Sequence, residues 1–371
     1  GYDSFRPGQE KLIDAVLSGQ DVFGIMPTGG GKSICYQIPA LMLPGITLVI
    51  SPLISLMQDQ VASLKAAGVP AAYINSTLTG PQVQAVYRNL LAGKYKIIYV
   101  APERLDYAGF GSIAQKLTIS FLAVDEAHCI SEWGHDFRPE YRRIKPIVEK
   151  IGKAPVIALT ATATPAVAED IMTRLRFEER TLLKTGFERP NLSYIVRKCE
   201  DKLGQLLSIC TSVAGTGIVY VRSRKKTEEL AALLTANGIS ASFYHAGLGP
   251  DSRADRQEKW KTDKIRVMVC TNAFGMGIDK PDVRFVIHFD VPDSPEAYFQ
   301  EAGRGGRDGK RSFAVLLWNS TDIKRLRQIA TVSFPTLEYI EDIYHKVHIF
   351  YEIPYGVATE YLMNEIGAAA D

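Results

Sequence analysis

Three clusters of side chains, far apart in the chain, could act together on phosphate. Pro27-Thr28-Gly29-Gly30-Gly31-Lys32-Ser33 follows a short apolar run and opens a segment able to start a helix. Consecutive glycines let backbone N–H groups approach phosphate oxygens, and the helix N-terminus behind them adds positive partial charge. Lys32 would reach the terminal phosphates, and the Ser33 hydroxyl would sit on Mg²⁺. Such loops ordinarily carry glycine where Met26 stands, so the placement between strand and helix supports the assignment. A second apolar run ends in Asp125-Glu126-Ala127-His128. Asp125 suits the Mg²⁺ shell, and Glu126 can polarise a water for in-line attack on a γ-phosphate. An acidic helix cap would explain one of these carboxylates but not both. The third cluster, Gln300-Glu301-Ala302-Gly303-Arg304-Gly305-Gly306-Arg307, sets two arginines three apart, a spacing that shares one face of a helix. A solvated basic face is the commoner source of such a pair. Donated across a cleft by a second domain, the same arginines would neutralise γ-phosphate charge only on closure, converting hydrolysis into movement.

Positioning these groups calls for parallel sheets, whose ligands bind at the carboxyl ends of the strands. Apolar runs at Asp21–Met26, Ile46–Ser51, Lys96–Ala101, Phe121–Asp125 and Val156–Thr160 read as strands, with helices such as Leu53–Ala67 and Pro81–Leu91 between them. A second series runs through Leu192–Val196, Gly217–Val221, Ser242–His245, Arg266–Cys270, Phe285–His288 and Ser312–Leu317, with a helix at Arg224–Leu234. The alternation predicts α/β architecture with doubly wound sheets. A linker is expected at Phe187-Glu188-Arg189-Pro190-Asn191, where Pro190 disfavours helix at Arg189 and no apolar period is present. The expected domains are 1–188 and 189–320. Thr321–Ile329 and Thr336–Tyr351 read as helices of a short extension over 321–371, either a cap or part of a third domain.

The 371 residues, 46% hydrophobic and 23% charged, suit a folded protein of about two domains at roughly 100–200 residues each. A formal charge of +2 excludes a globally basic coat, so a polyanion would need a local patch. Five separated cysteines without a C-x-x-C pair argue against a disulfide framework or zinc site. No uninterrupted apolar stretch of about 18 residues and no signal-peptide pattern are present, so no membrane partner and an intracellular, reducing compartment are expected. The chain opens at Gly1-Tyr2 without methionine and directly into a motif, which suggests a longer natural protein.

Phe5-Arg6-Pro7-Gly8-Gln9, Thr28–Ser33, Asp125–His128, Leu159-Thr160-Ala161-Thr162-Ala163 and Gln300–Arg307 together resemble the helicase core of superfamily two. The resemblance narrows to the RecQ DNA helicases through Ser51–Gln60, Ala101–Leu105, Tyr244–Leu248 and Ala273–Pro281, all in family order over about residues 1 to 320. It implies two RecA-like domains in tandem and the use of ATP with Mg²⁺. It also implies that Gln9 reads adenine with Tyr2 or Arg6 beside the base, and that Asp279 lies near the ribose. Arg307 would be the arginine finger, with Arg304 and Gln300 beside the phosphates. His128 and Thr160 to Thr162 would couple hydrolysis to closure.

The segment Ser131-Glu132-Trp133-Gly134-His135-Asp136-Phe137-Arg138-Pro139 resembles the family's aromatic-rich loop, which would sense single-stranded DNA. Trp133 and Phe137 can stack on unpaired bases, and Arg138 can hold a phosphate; burial in a core is the competing fate of such aromatics. Ser51, Arg104, Arg222, Ser223 and Thr271 are further DNA-backbone candidates by family position. No cysteine follows Cys270, so the family's four-cysteine zinc module is not expected here, and His345 with His348 lacks further ligands. The implied activity is ATP-dependent, 3′-to-5′ DNA unwinding in repair and recombination by a monomer acting on single-stranded and partial-duplex DNA. The implied compartment is cytoplasmic in a bacterium and nuclear in a eukaryote. An RNA helicase, a non-unwinding translocase, a small-molecule kinase and an inactive nucleic-acid-binding scaffold are the competing readings.

Overall fold

A computed structural model describes residues 4–105, 109–132, 137–152, 154–178, 180–186, 188–275 and 280–351. Gly1–Trp318 and Asn319–Asp371 form two separate compact units. The larger holds two parallel sheets in tandem, each a RecA-like α/β layer.

The first sheet comprises β1 (Val22–Ile25), β2 (Ile46–Ile50), β3 (Ala71–Ile74), β4 (Ile97–Val100), β5 (Ile119–Val124), β6 (Val156–Thr160) and β7 (Thr181–Lys184). Its strand order is β3-β4-β2-β5-β6-β1-β7. The second comprises β8 (Leu192–Lys198), β9 (Thr216–Tyr220), β10 (Ala241–Tyr244), β11 (Val267–Cys270), β12 (Val283–His288) and β13 (Ser312–Trp318), in the order β10-β11-β9-β12-β13-β8. The first sheet ends with β7 at Lys184, and the second opens with β8 at Leu192.

Each central strand is buried on both faces, which explains its continuous apolar sequence. Alternate residues feed opposite cores: Phe23, Leu48, Ile50, Leu122 and Val124 pack on one side of the first sheet, and Val22, Val49, Phe121 and Ala123 on the other. Two strands were not expected, β3 and β7, and both are four-residue edges. Half-exposed alternation in β7 leaves no apolar run to mark it.

Close packing fixes small residues at strand centres. Gly217 on β9 faces the fully buried Phe285 of β12, and a β-carbon there would stand 2.0 Å from the ring. Its φ is not in the left-handed region, so the constraint is volume alone. Gly217→Ala should therefore destabilise the fold by about 1–3 kcal/mol, the usual cost of overpacking, visible as a lower denaturation midpoint with unchanged slope.

The smaller unit begins with a helix at Ser320–Ser333, closed by a capping box between Asn319 and Asp322, and continues with a helix at Leu337–Tyr351. Leu337, Tyr339 and Ile340 are exposed on that second helix.

Candidate functional site

Between β1 and the helix Ile34–Met42 the glycine loop turns back on itself. Gly29 and Gly31 have φ of 81° and 77°, a region open to glycine at little cost. Both are also pressed by neighbours: an added β-carbon would meet Arg307 Cγ at 3.1 Å at Gly29 and Gln9 Nε2 at 2.4 Å at Gly31. Gln9 opens the helix Gln9–Leu17, is buried, and donates through Nε2 to the carbonyls of Gly30 (3.1 Å) and Gly31 (3.0 Å). Its Oε1 accepts from the Arg6 backbone N–H at 2.8 Å, and Arg6 Nη1 donates to the Gly29 carbonyl. The amide that resemblance assigns to adenine thus also braces the loop, with one acceptor position left on Oε1.

At the carboxyl end of β5 the chain makes a sharp turn with Glu126 at φ 47°. The Asp125 N–H is spent on the Ile50 carbonyl at 2.8 Å, its carbonyl accepts from Tyr141 Oη at 3.0 Å, and Oδ1 accepts from the Glu126 N–H at 3.0 Å. Burial, followed by the charge of Glu126, pushes the Asp125 carboxyl up to about 7, against a smaller pull from Lys32. Glu126 Oε2 is buried without a hydrogen bond, 3.5 Å from His128 Nδ1. That same Nδ1 meets Thr160 Oγ1 at 2.8 Å, and Thr160 Oγ1 donates to the Thr162 carbonyl at 3.2 Å. A short relay therefore joins the end of β5 to the end of β6.

A carboxyl whose folded pKa exceeds its unfolded value disfavours folding once ionised, and the penalty grows from about pH 4 until it is complete above about 7. Asp125→Asn removes the charge, so the nucleotide-free protein should melt higher at pH 8 and nearly unchanged at pH 4 in calorimetry. A lower melting temperature at pH 8 would contradict this electrostatic account.

The helix Pro295–Ala302 stops before either arginine, so Arg304 and Arg307 do not share a helix face as their spacing suggested. Gly303, Gly305 and Gly306 carry the chain through a run of turns, with Gly306 at φ 58°. Arg304 is 5% exposed, and Arg307 lays its aliphatic stem over Gly29.

A cavity of about 690 Å³ brings these groups together. Thr28, Gly29, Gly31, Lys32, Ser33, Asp125 and Glu126 line it from the first sheet, Arg6 and Gln9 from the preceding helix region, and Gln300, Arg304 and Arg307 from the second sheet. Phe5, Ile34, Ile38, Leu53 and Leu56 supply an apolar wall that sequence reasoning left without a role. Within the loop, the Gly30 N–H donates to the Pro27 carbonyl at 2.9 Å.

The nucleic-acid candidates lie elsewhere, at carboxyl ends of strands. Ser51 follows β2 and is buried with Oγ unbonded; Arg104 ends a short 3₁₀ turn, Pro102–Arg104, beyond β4; Thr162 follows β6 and Thr271 follows β11. Arg222 and Ser223 follow β9, with Arg222 Nη1 against Asp293 and Ser223 capping the helix Arg224–Ala236. Phe137 is half-buried beneath the Arg142 guanidinium at 5.4 Å, and the Arg138 N–H donates to the Cys129 carbonyl at 3.0 Å. Tyr2, Trp133, His135 and Asp279 lie outside the described residues.

Comparison with known proteins places this arrangement. Residues 6–171 match the family described as DEAD/DEAH box helicase, and residues 199–309 match the helicase conserved C-terminal domain. The fold is shared with a solved structure of Mycobacterium smegmatis helicase Lhr bound to ssDNA and AMP-PNP, at a TM-score of 0.68 and 21% identity, over 88% of this chain and 48% of that one. Among curated proteins, the ATP-dependent DNA helicase RecQ of Bacillus subtilis is 48% identical over 87% of this chain and 55% of its own length. The probable ATP-dependent DNA helicase RecS of the same organism is 42% identical over 92% of this chain and 70% of its own. The chain belongs to the RecQ family, and spans about half the length of several curated relatives that it matches.

Proposed function

We propose that the protein is an ATP-dependent DNA helicase that couples ATP hydrolysis to 3′-to-5′ movement along a single strand and to duplex unwinding in repair and recombination. The observation that supports it most directly is one cavity lined by a phosphate loop and an acidic pair from the first sheet and by two arginines from the second. Residues 1–188 and 189–320 act as the two motor domains, with 321–371 as a helical extension.

The donor set suits a nucleoside triphosphate with Mg²⁺: a buried carboxyl at Asp125, the Ser33 hydroxyl, and an unbonded buried oxygen on Glu126. When bound, Mg²⁺ would neutralise charge on the β- and γ-phosphates. Loop N–H groups and Lys32 hold those phosphates, while the remaining acceptor of Gln9 receives the exocyclic amine of adenine. Tyr2 or Arg6 flanks the base, and Asp279 the ribose. Glu126 takes the proton of the attacking water, and Arg307, with Arg304 and Gln300, meets the charge that develops on the transferring phosphoryl group.

Hydrolysis then passes to the strand through the relay from Glu126 to His128, Thr160 and Thr162. The DNA backbone is held by Ser51, Arg104, Arg222, Ser223 and Thr271, and bases stack on Trp133 and Phe137 with His135 and Arg138 alongside. The protein acts as an intracellular monomer on single-stranded and partial-duplex DNA, and no zinc is assigned to this chain. Among the described residues, no helix is long and apolar enough to cross a membrane.

Strand separation on partial duplexes with 3′ or 5′ overhangs of DNA or RNA tests substrate and polarity together. ATP-dependent opening of the 3′-overhang DNA duplex alone is the expected result. Opening of the RNA duplex instead, or stimulated hydrolysis without opening, would replace the proposal with the RNA-helicase or translocase reading.

A further inference from the structure

Arg189, in the connection between the sheets, sends its guanidinium both to the phosphate loop and to the turns that carry Arg304 and Arg307. Nη1 donates to the Thr28 carbonyl of the glycine loop at 3.1 Å and to the Gly303 carbonyl at 3.3 Å. Nη2 donates to the carbonyls of Gly305 at 2.8 Å and Gly306 at 2.9 Å. Two residues on, Asn191 Nδ2 donates to Gly306 (2.7 Å) and Lys310 (3.0 Å), and the Asn191 carbonyl accepts from the Ser312 N–H at 2.8 Å. The turns that carry Arg304 and Arg307 are thus pinned from behind. Gly303 and Thr28 are in contact there, since a β-carbon on Gly303 would lie 3.1 Å from Thr28 Cβ. Both terminal nitrogens of Arg189 donate to backbone carbonyls, so the guanidinium is engaged by the chain itself.

We propose that Arg189 is a positioning residue: its planar fork ties the phosphate loop to the 303–306 turns and thereby sets where Arg307 stands over the transferring phosphoryl group. A helix would have fixed that stance through its own hydrogen bonds, but the arginines sit past the helix end among three glycines, where backbone freedom is greatest. Guanidinium is the only side-chain cation with enough coplanar donors for four carbonyls on two strands of chain; an ammonium has three donors and no plane.

This inference deepens the hydrolysis reading above and depends on it for its kinetic test. In the full chain, Arg189→Met should lower DNA-stimulated kcat by about 10²-fold, the scale of an ångström-level misplacement, and leave KM for ATP near that of the unaltered chain. Arg189→Lys, which keeps the charge and is the gentler change for folding, should recover only a minor part. Arg189→Met combined with Arg307→Ala should be no slower than Arg307→Ala alone, because the first acts through the second. Additive losses, or an unchanged kcat in both Arg189 variants, would overturn the assignment. Hydrogen exchange supplies a readout free of turnover: amides of 303–310 should exchange faster in Arg189→Lys while the strands of both sheets keep their protection. Were the unaltered chain to hydrolyse no ATP, the hydrolysis reading would fall, and unaltered exchange at 303–310 would separately overturn the tie.

Discussion

Arg307→Ala should slow DNA-stimulated ATP hydrolysis by about 10³–10⁵-fold, the contribution of an arginine finger to phosphoryl transfer. Its side chain already packs on Gly29, so the guanidinium reaches the phosphate-loop side of the cavity from the opposite sheet. Charge on the transferring group grows in the transition state, so the lost interaction should lower kcat and kcat/KM together and leave equilibrium nucleotide binding close to normal. Arg307 is a better subject for this measurement than Arg304, which is buried beside Tyr220 and Gly275 and whose removal would leave a gap in the second core. Phosphate release at saturating single strand, with a fluorescent nucleotide for affinity, separates the two quantities. Turnover within experimental error of the unaltered chain would remove Arg307 from the reaction.

The same residue marks how far the sequence could be read. Strands buried on both faces were legible because burial imposes uninterrupted apolar runs, and β1, β5 and β6 end within a residue or so of their expected limits. β3 and β7 were not: β7 alternates half-buried with exposed positions, and β3, though mostly buried, is four residues long and opens on two alanines, too short and too small-sided to stand out as an apolar run. Lys32, Asp125 and Glu126 could be singled out from residue type and from the apolar runs they follow, and the structure lines one cavity with all three. Arg189 did not, because its partners are backbone carbonyls, which every residue carries and no motif encodes. Gln9 shows an intermediate case: its type and motif were visible, whereas its bracing of Gly30 and Gly31 depends on a fold that brings residues 21 and 22 positions apart together. The spacing of Arg304 and Arg307 misled for a physical reason, as Gly303, Gly305 and Gly306 favour turns over continued helix.

Glu126→Gln should cost about 10²–10⁴-fold in turnover, the range of general-base catalysis, while ATP still binds. The substitution keeps length and hydrogen-bonding shape, and glutamine meets the same left-handed backbone at φ 47°, so the turn after β5 should hold. What changes is charge. An amide cannot accept the water proton, and the buried oxygen that now lacks a hydrogen bond becomes part of a neutral group with a smaller desolvation cost. The loss also reaches Asp125, whose carboxyl is held up first by burial and next by the neighbouring Glu126 charge. Without that charge Asp125 should ionise at lower pH, so Mg²⁺-dependent nucleotide binding should persist to more acidic pH in the variant than in the unaltered chain. Binding curves taken between pH 6 and 8 alongside single-turnover hydrolysis read both effects. Hydrolysis at an unreduced rate would deny Glu126 the base, and identical pH profiles would show that the two carboxyls do not sense each other.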